Sequence, residues 1–479
     1  RRENVDKKAG NISDFLARWG KRYRYMVIFD ADSLMTGDCL NRLVALTEKH
    51  PRAGIIQTLP GIVRGRSLFA RAQQFASRFY GPVFAAGLHF WQQGEGNYWG
   101  HNAIIRIQPF MDHCELPELP WRAPLGGKIL SHDFVEAALI RRAGYEVWIA
   151  HHLEGSFEET PPHLLEAAQR DRRWCQGNLQ HSWLLFARGF TWINRIHLLN
   201  GILTYLNAFF WFWFLVISTL VVYQFQHSDL TLVAVSGFLG SFDLGLKAHG
   251  FLLLGLTAIL LFLPKLLATL DLLGNSRRTQ SFGGLFKTGF GVLTETLFSA
   301  IQAPLNMVLH ALFVVTIPLG KSVSWNAQDR SAEHGLGFFD CLKAFWWITL
   351  LGAGWLIFAW KINPVFGAWL LPVLLPMIFS IPVAMFSSAP NVGDFFRRIG
   401  IWKTPEEQDP GKLFQYLENE YNQVENYFTP SAKPYAIRAL NNPLVNALHV
   451  TLELHEEAVN PTSESGPKAF QKLRNEGLE

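Results

Sequence analysis

The segment YRYMVIFDAD at residues 23–32 ends in two carboxylates one residue apart, Asp30 and Asp32. Carboxylates at that spacing suit a hard divalent cation, which takes oxygen ligands and bridges phosphates. The apolar run before them, rich in β-branched and aromatic residues, is expected to form a buried parallel strand. The pair would then sit at the strand's carboxyl end, where open α/β sheets bind their ligands. D-x-D alone is a weak signal, because an aspartate pair also caps a following helix. Three further clusters add weight. In SHDFVEAA, Asp133 stands at a helix start, where the helix dipole and free N–H groups favour a carboxylate. In QRDRRWCQGN, at 169–178, Arg173 offers a planar fork for a diphosphate and Trp174 a face for a sugar ring. The same stretch would also serve as a juxtamembrane basic segment against anionic lipid. In NYWGHNAII, at 97–105, a small-residue turn leads into a strand and lets backbone approach a ligand closely.

The elements that must position these residues follow from the pattern. Strands are expected at 23–30, 54–58, 102–107 and 145–150, and helices at 38–49, 66–79 and 132–143. The last helix runs between Ser131 as N-cap and Gly144 as C-cap, with Val135, Ala138 and Leu139 on one face. This alternation predicts an α/β domain with a mostly parallel sheet over residues 1–195. The chain as a whole is 49% hydrophobic and only 17% charged, against about 25% charged in ordinary soluble proteins. The shortfall lies almost entirely in 198–388. Membrane spans are therefore expected at 198–223, 251–273, 342–361 and 364–387.

The stretch 286–319 is different. Glu295, Gln302, Asn306 and His310 fall near one helical face, which marks an interfacial helix, the lining of a wet path, or a polar face packed against neighbouring helices. Lys8, Lys21 and Arg195 precede the first span, Arg277, Arg278 and Lys287 follow the second, and Arg397, Arg398 and Lys403 follow the last. By the positive-inside rule the first domain, loop 274–287 and the tail are cytoplasmic, so an even number of crossings lies between them. The tail, 391–479, is polar and helical in pattern, with no catalytic constellation. A net charge of +4 argues against a nucleic-acid partner. Cys39, Cys114, Cys175 and Cys341 are scattered without the spacing of a disulfide framework or a zinc site.

The order DAD, YWGHNA, SHD, RDRRW and then membrane spans resembles the processive family-2 glycosyltransferases such as cellulose synthase, which carry D-x-D, T-E-D and Q-x-x-R-W in that order. KAGN at 8–11 is similar to a segment near their nucleotide pocket. SHDFVEA and RRWCQGNLQH look closest to the glucans biosynthesis glucosyltransferase H family, which makes the backbone of osmoregulated periplasmic glucans in Gram-negative bacteria. The resemblance covers roughly residues 1–390. It implies a GT-A-like fold, N-terminally truncated here, since a strand with another aspartate precedes K-A-G-N in that family; such a fragment is not expected to act alone.

The resemblance also implies roles for residues. Asp30 and Asp32 would hold Mg²⁺ or Mn²⁺, Lys8, Asp30 and Arg173 the donor UDP-glucose, and Trp99, Gly100, His101 and Trp174 the growing glucan acceptor. Asp133 would be the catalytic base of an inverting transfer. A gating loop at 320–331 would carry Trp325 and Arg330. The implied partners are the lipid bilayer of the bacterial inner membrane and a periplasmic protein that processes the glucan. Two positions depart from the pattern: His132 replaces the central glutamate of T-E-D, and Arg170 stands four residues before Trp174 where the family has glutamine, with Gln169 one residue earlier. The nearest rival is a synthase of cellulose, chitin or hyaluronan type. A rival of another class is a transporter with a regulatory cytoplasmic domain, against which the ordered carboxylates and the scarcity of intramembrane charge both speak.

Overall fold

The computed structural model describes residues 6–227, 243–320 and 334–428. They fall into two compact units, Arg1–Asp409 and Pro410–Glu479. In the second, the described part is the helix Lys412–Phe428. The first unit combines an α/β part with long apolar helices.

The α/β part opens with α1 (Lys7–Trp19), β1 (Tyr25–Ile28), β2 (Leu34–Met35), α2 (Gly37–Lys49), β3 (Ala53–Thr58) and β4 (Gly61–Ile62). It continues with α3 (Leu68–Gln92), β5 (Ala103–Arg106), α4 (Ile107–His113), α5 (His132–Arg142), β6 (Glu146–Ala150), β7 (Ser156–Glu158) and α6 (Leu164–Gln180). The main sheet has the order β1-β5-β3-β6, and β2, β7 and β4 form a small second sheet. All four strands read from the sequence are present. The mostly parallel sheet needs correction: β5 runs antiparallel to both β1 and β3, and within the main sheet only β3 and β6 pair in parallel, as β4 and β7 do in the small one. The chain after α3 runs alongside β6, with Glu95 bridging to Val147, and returns to the carboxyl ends of the other strands before β5 begins. β1 is likewise half-buried rather than enclosed, with Met26 its one buried residue.

The sheet core is aliphatic: Ile55, Ile105 and Val147 are fully buried, together with Val135 and Ile140 of α5. Each such side chain contributes about 1.5–3 kcal/mol of burial energy. α3 extends thirteen residues past the expected end at 79, through Pro82. Proline there removes one helical hydrogen bond, yet the helix continues because its apolar face, Phe75 and Phe79 included, is packed against Leu272, Phe282 and Trp402. Ser131 occupies the N-cap position of α5, but its side chain makes no capping bond. Gly144 adopts the left-handed conformation expected of a helix stop.

After α6 the chain becomes apolar. Among the described residues four helices are long and apolar enough to cross a membrane: Trp192–Gln226 within α7 (Trp192–His227), Leu252–Leu273, Leu285–Thr316 and Phe338–Ile362. The pair Pro364–Ile378 and Ser380–Ser388, bent by 55°, counts as a fifth if taken together. Large apolar side chains such as Phe214 and Leu260 face outward on these helices, as lipid contact requires. The 286–319 stretch is one helix, Leu285–Thr316, and half of its most apolar window is buried. The expected gating residues Trp325 and Arg330 lie outside the described residues.

Polar contacts tie the apolar helices to the α/β part. Arg71 of α3, buried, clamps Glu407 through two hydrogen bonds of 2.6 and 3.1 Å and donates to the Trp402 carbonyl. Arg78 pairs with Glu406 at 2.5 Å. Tyr80 and Lys265 both donate to Glu295 Oε2, at 2.9 and 2.7 Å. His310 meets Asp171 of α6 at 3.1 Å.

Candidate active site

The carboxyl end of β1 leads into a tight turn. Asp30 N–H donates to Ser33 Oγ, and the Ser33 N–H donates back to the Asp30 carbonyl, both at 3.0 Å. The turn places Asp30 beside α1, where the Lys8 ammonium forms an ion pair with its carboxylate. Asp32 follows on the same turn, part-buried. Among the described residues no three His, Cys, Asp or Glu side chains converge as a ready-made metal cage. The donor set here is of another kind: two carboxylates on one turn, which fit a hard cation that takes its remaining ligands from diphosphate oxygens and water.

The 97–102 turn lies at the same sheet end, because Ile28 of β1 is paired with Ala103 of β5. Its shape is fixed from below. Gln57 of β3 accepts from Trp99 N–H at 2.9 Å and donates to the Asn97 carbonyl at 2.6 Å. Asn102, fully buried in a left-handed conformation, donates to Ser156 Oγ and the Phe157 carbonyl. Gly100 has φ +94°, and a Cβ there would lie 2.9 Å from Asp133 Oδ2 and 3.4 Å from Lys8 Nζ. Only glycine fits this position, and its closeness brings Asp133 and Lys8 to one point in space.

Asp133 reaches that point from the first turn of α5. The helix start is held from two sides. His181 Nε2 donates to the Ser131 carbonyl at 2.8 Å, and α6 presses so close that a Cβ on Gly177 would lie 2.2 Å from Ser131 Oγ. Beside Asp133, the buried His132 donates from Nδ1 to buried Glu136 at 2.8 Å and lies 3.8 Å from Asp133 itself. Burial alone would lower the His132 pKa, but Glu136 and then Asp133 outweigh it and carry it up to about 9. The histidine that replaces the family's glutamate is therefore a cation near neutral pH. Tyr98, fully buried, donates to the Gly100 carbonyl at 2.7 Å. Its pKa is driven well up by burial and by the nearby charges of Glu136, Asp133 and Asp30, so the phenol stays protonated and keeps that bond.

The structure thus brings Lys8, Asp30, Gly100 and Asp133 together. His101 borders them, its Nε2 3.4 Å from Glu158. Burial raises the Glu158 pKa, opposed by His101 and Arg170. Trp99 is part-buried and anchored through its backbone. Trp174 is 48% exposed, and the Arg170 guanidinium lies over its ring at 4.4 Å. Arg173 is part-buried on α6; burial, then repulsion from Arg170, lowers its proton affinity. Two other carboxylates are already engaged: Asp112 accepts from Gln108 on the surface of α4, and Glu136 from His132. Sequence reasoning missed Gln57, Tyr98, Glu158 and the stacking of Arg170 on Trp174. The Arg170 to Trp174 spacing of one helical turn was the one signal that could have shown the last of these.

A sheet with paired aspartates at its strand ends, a base-like carboxylate at a helix start and a tryptophan-bearing helix before apolar spans defines a class. The family model for glycosyl transferase family group 2 matches residues 25–268, and the chain belongs to that family. It is 44% identical over 94% of its length to the glucans biosynthesis glucosyltransferase H of Cupriavidus pinatubonensis, of which it covers 51%. Identity is again 44%, over the same share of this chain, to the proteins of that name in Pseudomonas aeruginosa and Pseudomonas syringae pv. syringae, of which it covers 52% and 56%. The chain spans about half the length of the curated relatives it matches.

Proposed function

We propose that the chain carries the catalytic and membrane-embedded parts of an inverting glucosyltransferase. It would polymerise glucose from UDP-glucose into the β-linked backbone of periplasmic glucans and pass it across the bacterial inner membrane. The observation that carries this reading is the meeting of Lys8, Asp30, Gly100 and Asp133 at the sheet's carboxyl end. The name of the relatives supplies the glucosyl group and the glucan.

Lys8, and Arg173 from α6, contribute positive charge for the donor's diphosphate. Asp30 and Asp32 would hold a divalent cation, Mg²⁺ or Mn²⁺, which neutralises charge on the leaving diphosphate when bound. Asp133 accepts the proton of the acceptor hydroxyl as that oxygen attacks the donor's anomeric carbon. One displacement needs one base and one leaving group, so the configuration inverts. The His132 cation, neutralised by Glu136, keeps Asp133 oriented. Gly100, with no Cβ, lets Asp133 and Lys8 approach the same point, and Trp99, His101 and Trp174 form the acceptor side.

Topology follows the same reading. Segment 401–408 is bonded to α3, which puts it on the side of the α/β domain, so an even number of crossings separates them. The Leu285–Thr316 helix touches the α/β part at both Glu295 and His310, fifteen residues or about 22 Å apart. It therefore lies along the domain at the membrane interface. Four crossings remain: α7, Leu252–Leu273, Phe338–Ile362 and the bent pair. The α/β domain is then cytoplasmic, and a periplasmic glucan-processing protein would receive the product.

The test is Asp133→Asn in membranes carrying the full-length protein, with UDP release from UDP-glucose and glucan formation measured beside donor affinity. A loss of about 10²–10⁴-fold in transfer is expected, with donor affinity nearly unchanged. Transfer within a few-fold of the unaltered protein would reduce Asp133 to a helix cap.

A further inference from the structure

A second concentration of charge involves none of the residues of the catalytic cluster. Between the end of the Leu252–Leu273 helix and the start of Leu285–Thr316 is a hollow of about 380 Å³ whose lining includes Lys287, Arg397, Arg398 and Lys403. Its walls are joined closely: a Cβ on Gly400 would lie 2.8 Å from Lys287 Nζ. Gly283, Gly284 and Gly400 line it in left-handed conformations, exposing bare backbone. The Leu285–Thr316 helix begins at its rim, so the unbonded N–H groups of the first turn add positive potential.

None of the four cations has a carboxylate within ion-pair distance among the described residues. Of the acids near these residues in sequence, Glu407 is committed to Arg71, Glu406 to Arg78 and Asp271 to Arg278, while Asp394 and Asp409 do not line the hollow. Four like charges around one concavity repel each other unless an anion lies between them. The apolar neighbours say which kind of anion. Phe286, next to Lys287, is 91% exposed, and Phe395, two residues before Arg397, is 57% exposed; Leu285 and Phe290 also face outward. Cations over a hollow with bare aromatic rings beside them are the pattern of a surface that takes a phosphate and the acyl chains attached to it. A soluble phosphate compound would satisfy the cations and leave the rings in water.

We infer that this hollow binds the phosphate headgroup of an anionic phospholipid, with Lys287, Arg397, Arg398 and Lys403 as ligands and Phe286 and Phe395 in the acyl region. The inference rests on the membrane reading above and not on the glucosyl transfer.

The experiment uses the full chain in neutral detergent, with retained lipid counted by native mass spectrometry during titration with phosphatidylglycerol or phosphatidylcholine. Selective retention of phosphatidylglycerol, weakening as salt is raised, is expected of the unaltered protein. Arg397→Gln with Arg398→Gln, and separately Lys287→Gln with Lys403→Gln, should each weaken it about 25-fold, the effect of two cations at roughly fivefold each. A pair of changes at exposed Arg42 and Arg52 should leave it unchanged. Equal retention of both lipids overturns the inference, whatever the variants do. So does unaltered phosphatidylglycerol affinity in either double variant that elutes as a folded species. Displacement of the lipid by inorganic phosphate would assign the hollow to a soluble phosphate and overturn it too. Transfer activity enters none of these readouts, so the failure of the proposed reaction would leave the lipid result standing.

Discussion

Glu136→Gln is the change whose consequences follow most directly from the geometry. The Glu136 side chain is 3% exposed and accepts from His132 at 2.8 Å. With the carboxylate present, the His132 pKa stands at about 9, against an ordinary 6.5. Two and a half pH units at about 1.36 kcal/mol each correspond to about 3 kcal/mol of folded-state stability held by the charged ring. Breaking a buried pair by removing one partner costs about the same, 3–5 kcal/mol. The sign is fixed by linkage. A histidine whose folded pKa is raised gives its full contribution below pH 6.5, and that contribution fades as pH rises through about 9. Glutamine keeps the shape and can still accept one neutral hydrogen bond, so little difference should remain above pH 10. The assay is thermal unfolding of the two proteins in detergent at matched pH values from 6 to 10. The unaltered protein should unfold several degrees higher at pH 6, and the gap should close between pH 7 and 10. A gap that is constant with pH, or that widens as pH rises, would refute the charged pair.

Gly100→Ala should nearly abolish transfer, because the new methyl would meet the Asp133 carboxylate at 2.9 Å in a backbone conformation that alanine resists; steady-state UDP release measures it, and activity within threefold would mean the turn relaxes freely. Lys8→Gln removes the ion pair to Asp30 and should weaken UDP binding about tenfold, the worth of one charge-assisted bond of about 1.5 kcal/mol, as read by calorimetry with UDP. Arg170→Gln strips the cation from the Trp174 ring and should raise the acceptor requirement while leaving UDP affinity within twofold, which glucan-primed and unprimed reactions distinguish.

The strands and the paired aspartates were legible because a β-branched run has a length and a boundary that sequence shows directly. The antiparallel course of β5 was not, since strand direction depends on where the connecting chain returns, and residues 93–102 cross beside β6 before turning in. The helix expected to end at 79 runs on through Pro82, because the faces on either side are packed and the packing outweighs one lost hydrogen bond. Asp133 and Gly100 were each visible as a helix start and a turn, but their contact joins positions 33 residues apart and is set by Gln57 and Asn102 beneath the turn. Periodicity reports local structure, and no local pattern could have linked Arg71 with Glu407 across 336 positions.

Those distant polar links explain how the two parts of the first unit keep their register. Apolar helices in lipid gain little from each other's apolar surface, because acyl chains are as good a partner; interhelical packing and polar contacts must set their positions. Each attachment to the α/β part is of that kind. Arg71 grips Glu407 with both nitrogens, Tyr80 and Lys265 share Glu295, and His310 meets Asp171. The last contact falls one residue from Arg170 and three from Trp174, on the helix whose far end braces Ser131. A shift of the Leu285–Thr316 helix by one residue would move His310 about 1.5 Å along its axis and break that bond. Trp174 is thereby referenced to the Leu285–Thr316 helix, and Asp133 is referenced to the same α6. In the proposed reaction an acceptor sugar on Trp174 and the base at Asp133, held through Ser131, would share one rigid element, α6, which would keep the attacking hydroxyl and its proton acceptor in a fixed relation.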